Sequence, residues 1–282
     1  MRAHLQAGTG AAARPSAKGD MRGLLLLIVL QQAAGLSTRL SHVLTLAERP
    51  FNGDDERPSG LVADVCCDHG YLAAELAARG RSVVACDVAE EPLANCRRHF
   101  AWRSVEPVKF VLGDGVAAVM ADAELPWCET AVIAGVGART AARLIDAACD
   151  VDLDLPPPRR FVVQPTQQFI AHAHDLRSTL HARGYDVVEE RWLDDNGERL
   201  KRTGRRVLVT IRAERRATGT RPSETEMLVG KSTRDTARAA YVAHHRDWLA
   251  AIVRDLPEHA VARQRAEGWL ALLETEADPD VA

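Results

Sequence analysis

A chain of 282 residues with a formal net charge of −3 is long enough for one large domain plus an appendage. Hydrophobic content of 46% supports a buried core and 27% charged residues support a soluble surface, while the overall charge gives no global sign of a polyanion partner. The six cysteines (Cys66, Cys67, Cys86, Cys96, Cys128 and Cys149) form no Cys-x-x-Cys pair. That argues for buried, reduced thiols and against a disulfide framework or a zinc site, so no metal is expected.

Residues 1–35 do not read as part of the fold. Asp20 is their single acid, with Arg2, Arg14, Lys18 and Arg22 scattered among Ala, Gly and Pro. The apolar run Leu24–Leu30 is far short of a membrane span but has the length of a secretory core, followed by the small residues Ala33-Ala34-Gly35. Basic, acid-poor composition equally suits an organellar transit peptide, and Met21 offers an alternative start. A removable targeting segment is expected, for an organelle (plastid or mitochondrion) rather than secretion because of the thiols. Without such a segment the location would be cytoplasmic.

From Leu36 the organisation is regular. An amphipathic helix is predicted over 36–46, with Ser37 as a possible cap, followed by a polar loop over 49–60. Strand and helix signals then alternate: strand 61–65, helix 71–79, strand 82–86, helix 91–101, strand 108–112, strand 130–134, helix 139–148, strand 160–163 and helix 168–182. Strands near 186–192 and 206–212 are joined by a turn over 195–205, and an antiparallel edge pair is the expected arrangement. Alternation at this spacing implies an α/β fold with a mostly parallel sheet. Beyond Arg221-Pro222 the pattern turns helical apart from Gly230. Tyr241, His244, Trp248, Leu249 and Ile252, and then Trp269, Leu270 and Leu273, recur at helical spacing. The expected division is therefore 1–35, a main domain over 36–216, and a small helical, coiled-coil-like appendage over 222–278.

Polar turns fall at the carboxyl ends of successive strands, where open α/β sheets bind ligands. The first, Asp64-Val65-Cys66-Cys67-Asp68-His69-Gly70-Tyr71-Leu72, has the form of a cofactor-binding strand-to-helix turn. Asp87 ends the second strand, where a carboxylate can accept both hydroxyls of a ribose. Gly113-Asp114-Gly115 follows the third, and Asp114 could accept from an adenine amino group. The fourth turn is Ile133-Ala134-Gly135-Val136-Gly137-Ala138, whose glycines permit close backbone approach. The fifth, Gln164-Pro165-Thr166, is expected to hold an amide side chain over the same crevice. Asp68 and His69 exceed what cofactor binding alone needs.

These residues, preceded by Leu-Ser-x-Arg-Leu at 36–40, resemble the bacterial tRNA (adenine-22-N1)-methyltransferase family over roughly residues 36–250. The resemblance implies a Rossmann-like class I methyltransferase sheet with helices on both faces and a C-terminal helical appendage that helps hold tRNA. It also implies S-adenosyl-L-methionine as cofactor and methylation of adenine N1 in the tRNA D-arm. Cofactor contacts then fall to Asp64, Cys66, Gly70, Asp87, Asp114, Gly115 and Gly135, and substrate contacts to Gln164 and Pro165. Cys66 and Cys67 stand where the family carries Gly and a hydroxyl residue. At position 66 a side chain replaces the glycine that lets the backbone approach the methionine moiety.

Adenine N1 carries an in-plane lone pair and gains positive charge on methylation, so a nearby carboxylate favours the reaction. Asp68 is the candidate, with His69 orienting it or contacting substrate, although Asp68 could also simply cap the following helix. For tRNA, residues 198–247 hold thirteen Lys/Arg against six Asp/Glu, a local net of +7. Lys201, Arg202, Arg205 and Arg206 are the leading candidates for phosphate contact; the plainer reading of the run is a solvated surface. His244, His245 and Trp248 read as helix packing. No stable protein partner and no membrane are expected. Two alternatives are a degenerate RNA-binding protein without activity and a nicotinamide-dependent oxidoreductase, though the first turn lacks Gly-x-Gly-x-x-Gly.

Overall fold

Strands β1 (Leu61–Val65), β2 (Val83–Asp87) and β5 (Arg160–Gln164) are buried at every position in the computed structural model, as sheet strands covered on both faces must be. The structure describes residues 36–52, 56, 58–151, 155–166, 169–195, 206–216, 221–231 and 235–276. The expected targeting segment at 1–35 and the turn carrying Lys201, Arg202 and Arg205 lie outside the described residues, as does the side chain of Arg206. With β3 (Lys109–Leu112), β4 (Cys128–Ala134), β6 (Tyr185–Asp195) and β7 (Arg206–Arg215), the strands form one seven-stranded sheet in the order β3-β2-β1-β4-β5-β7-β6. Neighbours from β3 to β5 are parallel, whereas β7 runs antiparallel to both β5 and β6. The expected edge pair is thus present, with the last strand inserted between β5 and β6.

Helices α1 (Thr38–Glu48), α2 (Tyr71–Ala78), α3 (Glu90–Arg103), α4 (Gly115–Met120), α5 (Ala138–Asp150) and α6 (Ile170–Ala182) connect and cover the sheet on both sides. The helix α4 was not expected from the sequence, because six residues are too few to show a 3.6-residue period. The parallel order reverses between β1 and β4, and a crevice opens at such a switch point at the carboxyl ends of the strands. Among the described residues no helix is long and apolar enough to cross a membrane, and all six cysteines are free thiols.

Helix α1 is fixed along β5 from both ends. Arg160 opens β5 with its side chain fully buried, and all five of its N–H groups are satisfied. Nε and Nη2 donate to one carboxylate oxygen of Glu214 at 3.1 and 2.7 Å. The remaining donors meet the carbonyls of Ala47, Arg49 and Pro50 at the end of α1, at 2.7–3.1 Å. The guanidinium also lies 4.0 Å from the Phe51 ring centroid. Desolvating such a charge is tolerable only with this degree of pairing.

The C-terminal appendage consists of α7 (Glu224–Val229), α8 (Thr236–Asp255) and α9 (Val261–Glu276). A capping box starts α7: Ser223 Oγ accepts from the Glu226 amide, while the Glu226 carboxylate accepts from the Ser223 amide. Buried Arg177 on α6 pairs with Glu190 on β6 at 2.8 Å and donates to the carbonyls of Met227 and Leu228. Arg238 on α8 donates to the carbonyls of Val229 and Gly230. These bonds take up the carbonyls left open at the end of α7 and dock the appendage against β6 and α6. Tyr241, His245 and Leu249 are buried, as packing requires of His245, whereas His244 and Trp248 are exposed, unlike the packing expected of them.

Candidate functional site

The turn after β1 is held in a conformation that ordinary residues avoid. Cys66 (φ 60°), Asp68 (φ 49°) and Gly70 (φ 70°) all lie in the left-handed region. Backbone bonds secure the turn: the Cys67 amide donates to the Cys86 carbonyl on β2, and the Gly70 amide to the Cys67 carbonyl. Glycine is required at position 70, because a Cβ there would run into the Cys96 side chain on α3. Gly70 also begins α2 with no side-chain cap, so capping does not account for Asp68. Cys66 occupies a glycine-like conformation with a side chain attached, at a cost of about 1–2 kcal/mol. Burial first, then the carboxylates of Asp87, Asp64 and Asp114, push its thiol up to about 11, so it stays protonated.

A cavity of about 350 Å³ opens over this turn, within the range of small-molecule sites. From β1 and its turn it is lined by Asp64, Cys66, Cys67, Asp68 and His69, then by Tyr71 and Leu72 of α2. Ala134, Gly135 and Thr166 close it from the tips of β4 and β5, and Arg39 and Leu40 from α1. Asp64 is only 3% exposed, and burial raises its carboxyl to about 7. The Ala73 backbone amide and the Arg39 charge oppose that rise, while Asp87 adds to it. Asp68 and His69, by contrast, expose 67% and 48% of their side chains and stand 3.8 Å apart. One turn thus presents a buried, easily protonated acid and an exposed acid–imidazole pair.

The other strand tips divide into those that serve this cavity and those that do not. Asp87 is buried, and its two carboxylate oxygens accept from the amides of Asp68 (3.3 Å) and Ala89 (3.1 Å), leaving a lone pair on each for hydroxyl groups. Gly135 has φ 84° and donates to the Gln164 carbonyl; the position of a Cβ there meets nothing nearer than Arg39 Nη1 at 3.9 Å, so its backbone faces open space. Gln164 differs from expectation. Its side chain is fully buried, accepting from Arg39 Nη1 at 2.5 Å and donating to the Pro165 carbonyl at 2.7 Å, so it braces Arg39 instead of reaching over the crevice. Asp114 makes a two-pronged ion pair with Arg143 at 2.7 and 3.0 Å, and that guanidinium holds its carboxyl below the usual range. Gly115 packs under Leu144 of α5, and of the expected contacts Gly70, Asp87, Asp114, Gly115, Gln164 and Pro165 do not line the cavity, Asp87 reaching it only through its bond to the Asp68 amide.

Arg39, within Leu-Ser-x-Arg-Leu, joins the site as a side chain that no local pattern marks as facing it. A larger cavity of about 580 Å³ lies near Trp127, Arg159 and Arg215, at the amino end of β5. Size therefore does not identify the site; ligands of open α/β sheets bind at the carboxyl edge.

A family model described as a methyltransferase domain matches residues 54–200. No curated protein sequence matches the chain. Among solved structures, the chain is similar to a Streptococcus pneumoniae protein proposed as a tRNA (m1A22) methyltransferase: 21% identity, TM-score 0.67, covering 85% of this chain and 98% of that one. The same protein in complex with S-adenosyl-L-methionine gives a TM-score of 0.64 over the same shares. TrmK of M. capricolum, bound to the cofactor product S-adenosyl-homocysteine, gives 0.70 at 16% identity, over 86% and 98% of the two chains. At these identities the likeness establishes a shared fold, including the C-terminal helices.

The left-handed backbone at position 66 makes a direct prediction. Cys66→Ala keeps the strained conformation, whereas Cys66→Gly relieves it. Urea unfolding should find the glycine variant more stable than the alanine variant by about 1 kcal/mol. Equal stabilities, or a less stable glycine variant, would contradict a left-handed residue there.

Proposed function

Because this chain belongs to the methyltransferase-domain family, we propose that it transfers a methyl group from S-adenosyl-L-methionine to N1 of an adenine in the D-arm of a tRNA, at the position-22 type of site. The observation that carries this reading is the turn after β1, where buried Asp64 and exposed Asp68-His69 line one cavity. One similar solved protein is named as a proposed tRNA (m1A22) methyltransferase, and two similar structures hold the methyl donor or the cofactor product. Nothing in the site favours the nicotinamide or the inactive alternative.

The residues fit this cofactor. Asp87 at the tip of β2 retains acceptor capacity for two ribose hydroxyls. Asp64 faces the cavity as a carboxylate able to receive an ammonium group, with Arg39 beside it for a carboxylate. The Gly135 backbone allows close approach. Bound there, S-adenosyl-L-methionine supplies an electrophilic methyl group. The protein has to align the adenine N1 lone pair with that group and keep water out. Asp68 stands at the mouth of the same cavity, and a base entering it would cover the carboxylate and strengthen its attraction for positive charge developing on the ring. His69 stands 3.8 Å from that carboxylate, where it can orient it or contact the substrate. Reaching a base within a folded tRNA requires unstacking it, for which phosphate contacts by basic side chains compensate. Lys201, Arg202, Arg205 and Arg206 are proposed for that role.

Two measurements test this reading. Asp68→Ala should lower methyl transfer to bulk tRNA by about 10²-fold or more while leaving cofactor affinity within a few-fold. Unchanged turnover would remove Asp68 from the chemistry. Asp64 gives a pH signature: burial raises its carboxyl to about 7, so acid neutralises the group that receives the ammonium. Cofactor affinity, followed by calorimetry, should therefore rise with pH up to about 7, and Asp64→Asn should flatten that rise. A pH-independent affinity in the unaltered chain would place the ammonium elsewhere.

A further inference from the structure

A line of ring contacts leads out of the cavity along the α2–α3 flank and ends at an exposed tryptophan. His69 and Tyr71, both cavity-lining, have ring centroids 5.6 Å apart; Tyr71 meets His99 edge-on at 4.8 Å; His99 stacks on Trp102 at 5.7 Å with 27° between the planes. The two ends are open, His69 with 48% of its side chain exposed and Trp102 at 56%, while His99 between them is buried. Among the described residues neither ring nitrogen of His99 finds a hydrogen-bond partner. Burial, together with the nearby Arg103 and His69 charges, lowers its pKa, so it serves as a neutral ring. Placing an imidazole where an aliphatic side chain would pack without leaving polar atoms unpaired points to a value in the aromatic face.

The exposed charge on the last turns of α3 is positive. From Asn95 to Ser104 the helix carries Arg97, Arg98 and Arg103 and no acid. Arg103 is tied to Glu75 on α2, and Arg97 reaches Glu90 only at 3.9 Å. Arg98 is exposed and hydrogen-bonds the side-chain amide of Asn95, not a carboxylate. Arg98 and Trp102 are four residues apart on α3 and so are neighbours on its surface. A solvent-facing indole beside an exposed guanidinium held by an amide, with a second guanidinium only loosely paired, is the combination that single-stranded nucleic acid uses, the ring stacking on a base and the cations following the phosphates.

We propose that the α3 flank, with Trp102 and Arg98 at its centre and Arg97 beside them, is a docking surface for an unpaired stretch of the RNA substrate whose target base enters the cavity beyond His69. This rests on the tRNA reading above and adds a second set of contacts, drawn from a part of the sequence other than the basic run at 199–206. It assigns a role to Trp102, a large apolar side chain that the fold leaves in water.

The test is RNA binding by the full chain, followed by fluorescence anisotropy with labelled unmodified tRNA and labelled oligoadenylate across a salt series. Trp102→Ala should weaken binding of both RNAs at least fivefold, the lower end for losing one base–aromatic stack, with cofactor affinity unchanged. Trp102→Phe should restore most of the loss. Replacing Arg97 and Arg98 with Ala should lower the salt slope by about 1–2. Unchanged RNA affinity in Trp102→Ala would overturn the proposal, and is also the result expected if the patch serves a protein partner. Methyl transfer to tRNA by the unaltered chain is scored separately. Transfer with no dependence on Trp102 rejects the docking surface alone, whereas Trp102-dependent RNA binding without transfer rejects the activity and supports the surface.

Discussion

Helix α1 is pinned along β5 by an arginine contact at each end, and the site depends on that fixing. At one end Arg160 commits every N–H it has to Glu214 and to three carbonyls where α1 finishes. At the other end Arg39, in the first turn of α1, bonds the buried amide of Gln164. An arginine that reaches the cavity is thereby set beside Asp64, where its charge opposes the effect of burial on that carboxyl. Loosening the Arg160 clamp would leave Glu214 with less compensation inside the protein and free the helix that carries Arg39. The clamp is a stability device whose consequence is felt at the opposite end of the strand.

The turn after β1 is the second constraint. Positive φ at Cys66, Asp68 and Gly70 compresses the chain so that one short segment places a buried carboxylate and an exposed one on the same cavity. Strain of this kind persists only where the surroundings enforce it. Here the enforcement comes from β2, through the Cys86 carbonyl and the Asp87 carboxylate, and from α3, whose Cys96 side chain leaves room only for glycine at position 70. The aromatic line from His69 to Trp102 runs through the same contact region between α2 and α3. The cavity, the exposed acid–imidazole pair and the proposed RNA surface thus share one structural joint.

The parallel strands were legible in the sequence because their residues face buried layers on both sides, which leaves uninterrupted apolar runs such as Val83-Val84-Ala85-Cys86. The turns were legible too, since glycine and aspartate mark the ends of those runs. Pairing between distant side chains was not. Gln164 and Arg39 are 125 positions apart, and Asp114 and Arg143 are 29 apart, so no local pattern reveals that these polar groups are already engaged. Gln164 and Asp114 were accordingly read as facing a ligand when protein partners hold them. Cys66 lay between these cases: the family resemblance implies a glycine at that position, and only the backbone shows the left-handed conformation there. The short helix α4 escaped because six residues carry too little periodicity.

The central claim is that the cavity over the β1 turn brings a methyl donor to adenine N1 of a tRNA. It is tested most directly by incubating the full chain with unmodified tRNA and methyl-labelled S-adenosyl-L-methionine, then locating the label by nucleoside mass spectrometry and primer-extension arrest. The predicted result is 1-methyladenosine at a single adenine of the D-arm. Label on a different nucleoside, or tRNA that stays unlabelled while the chain binds the donor, would contradict it.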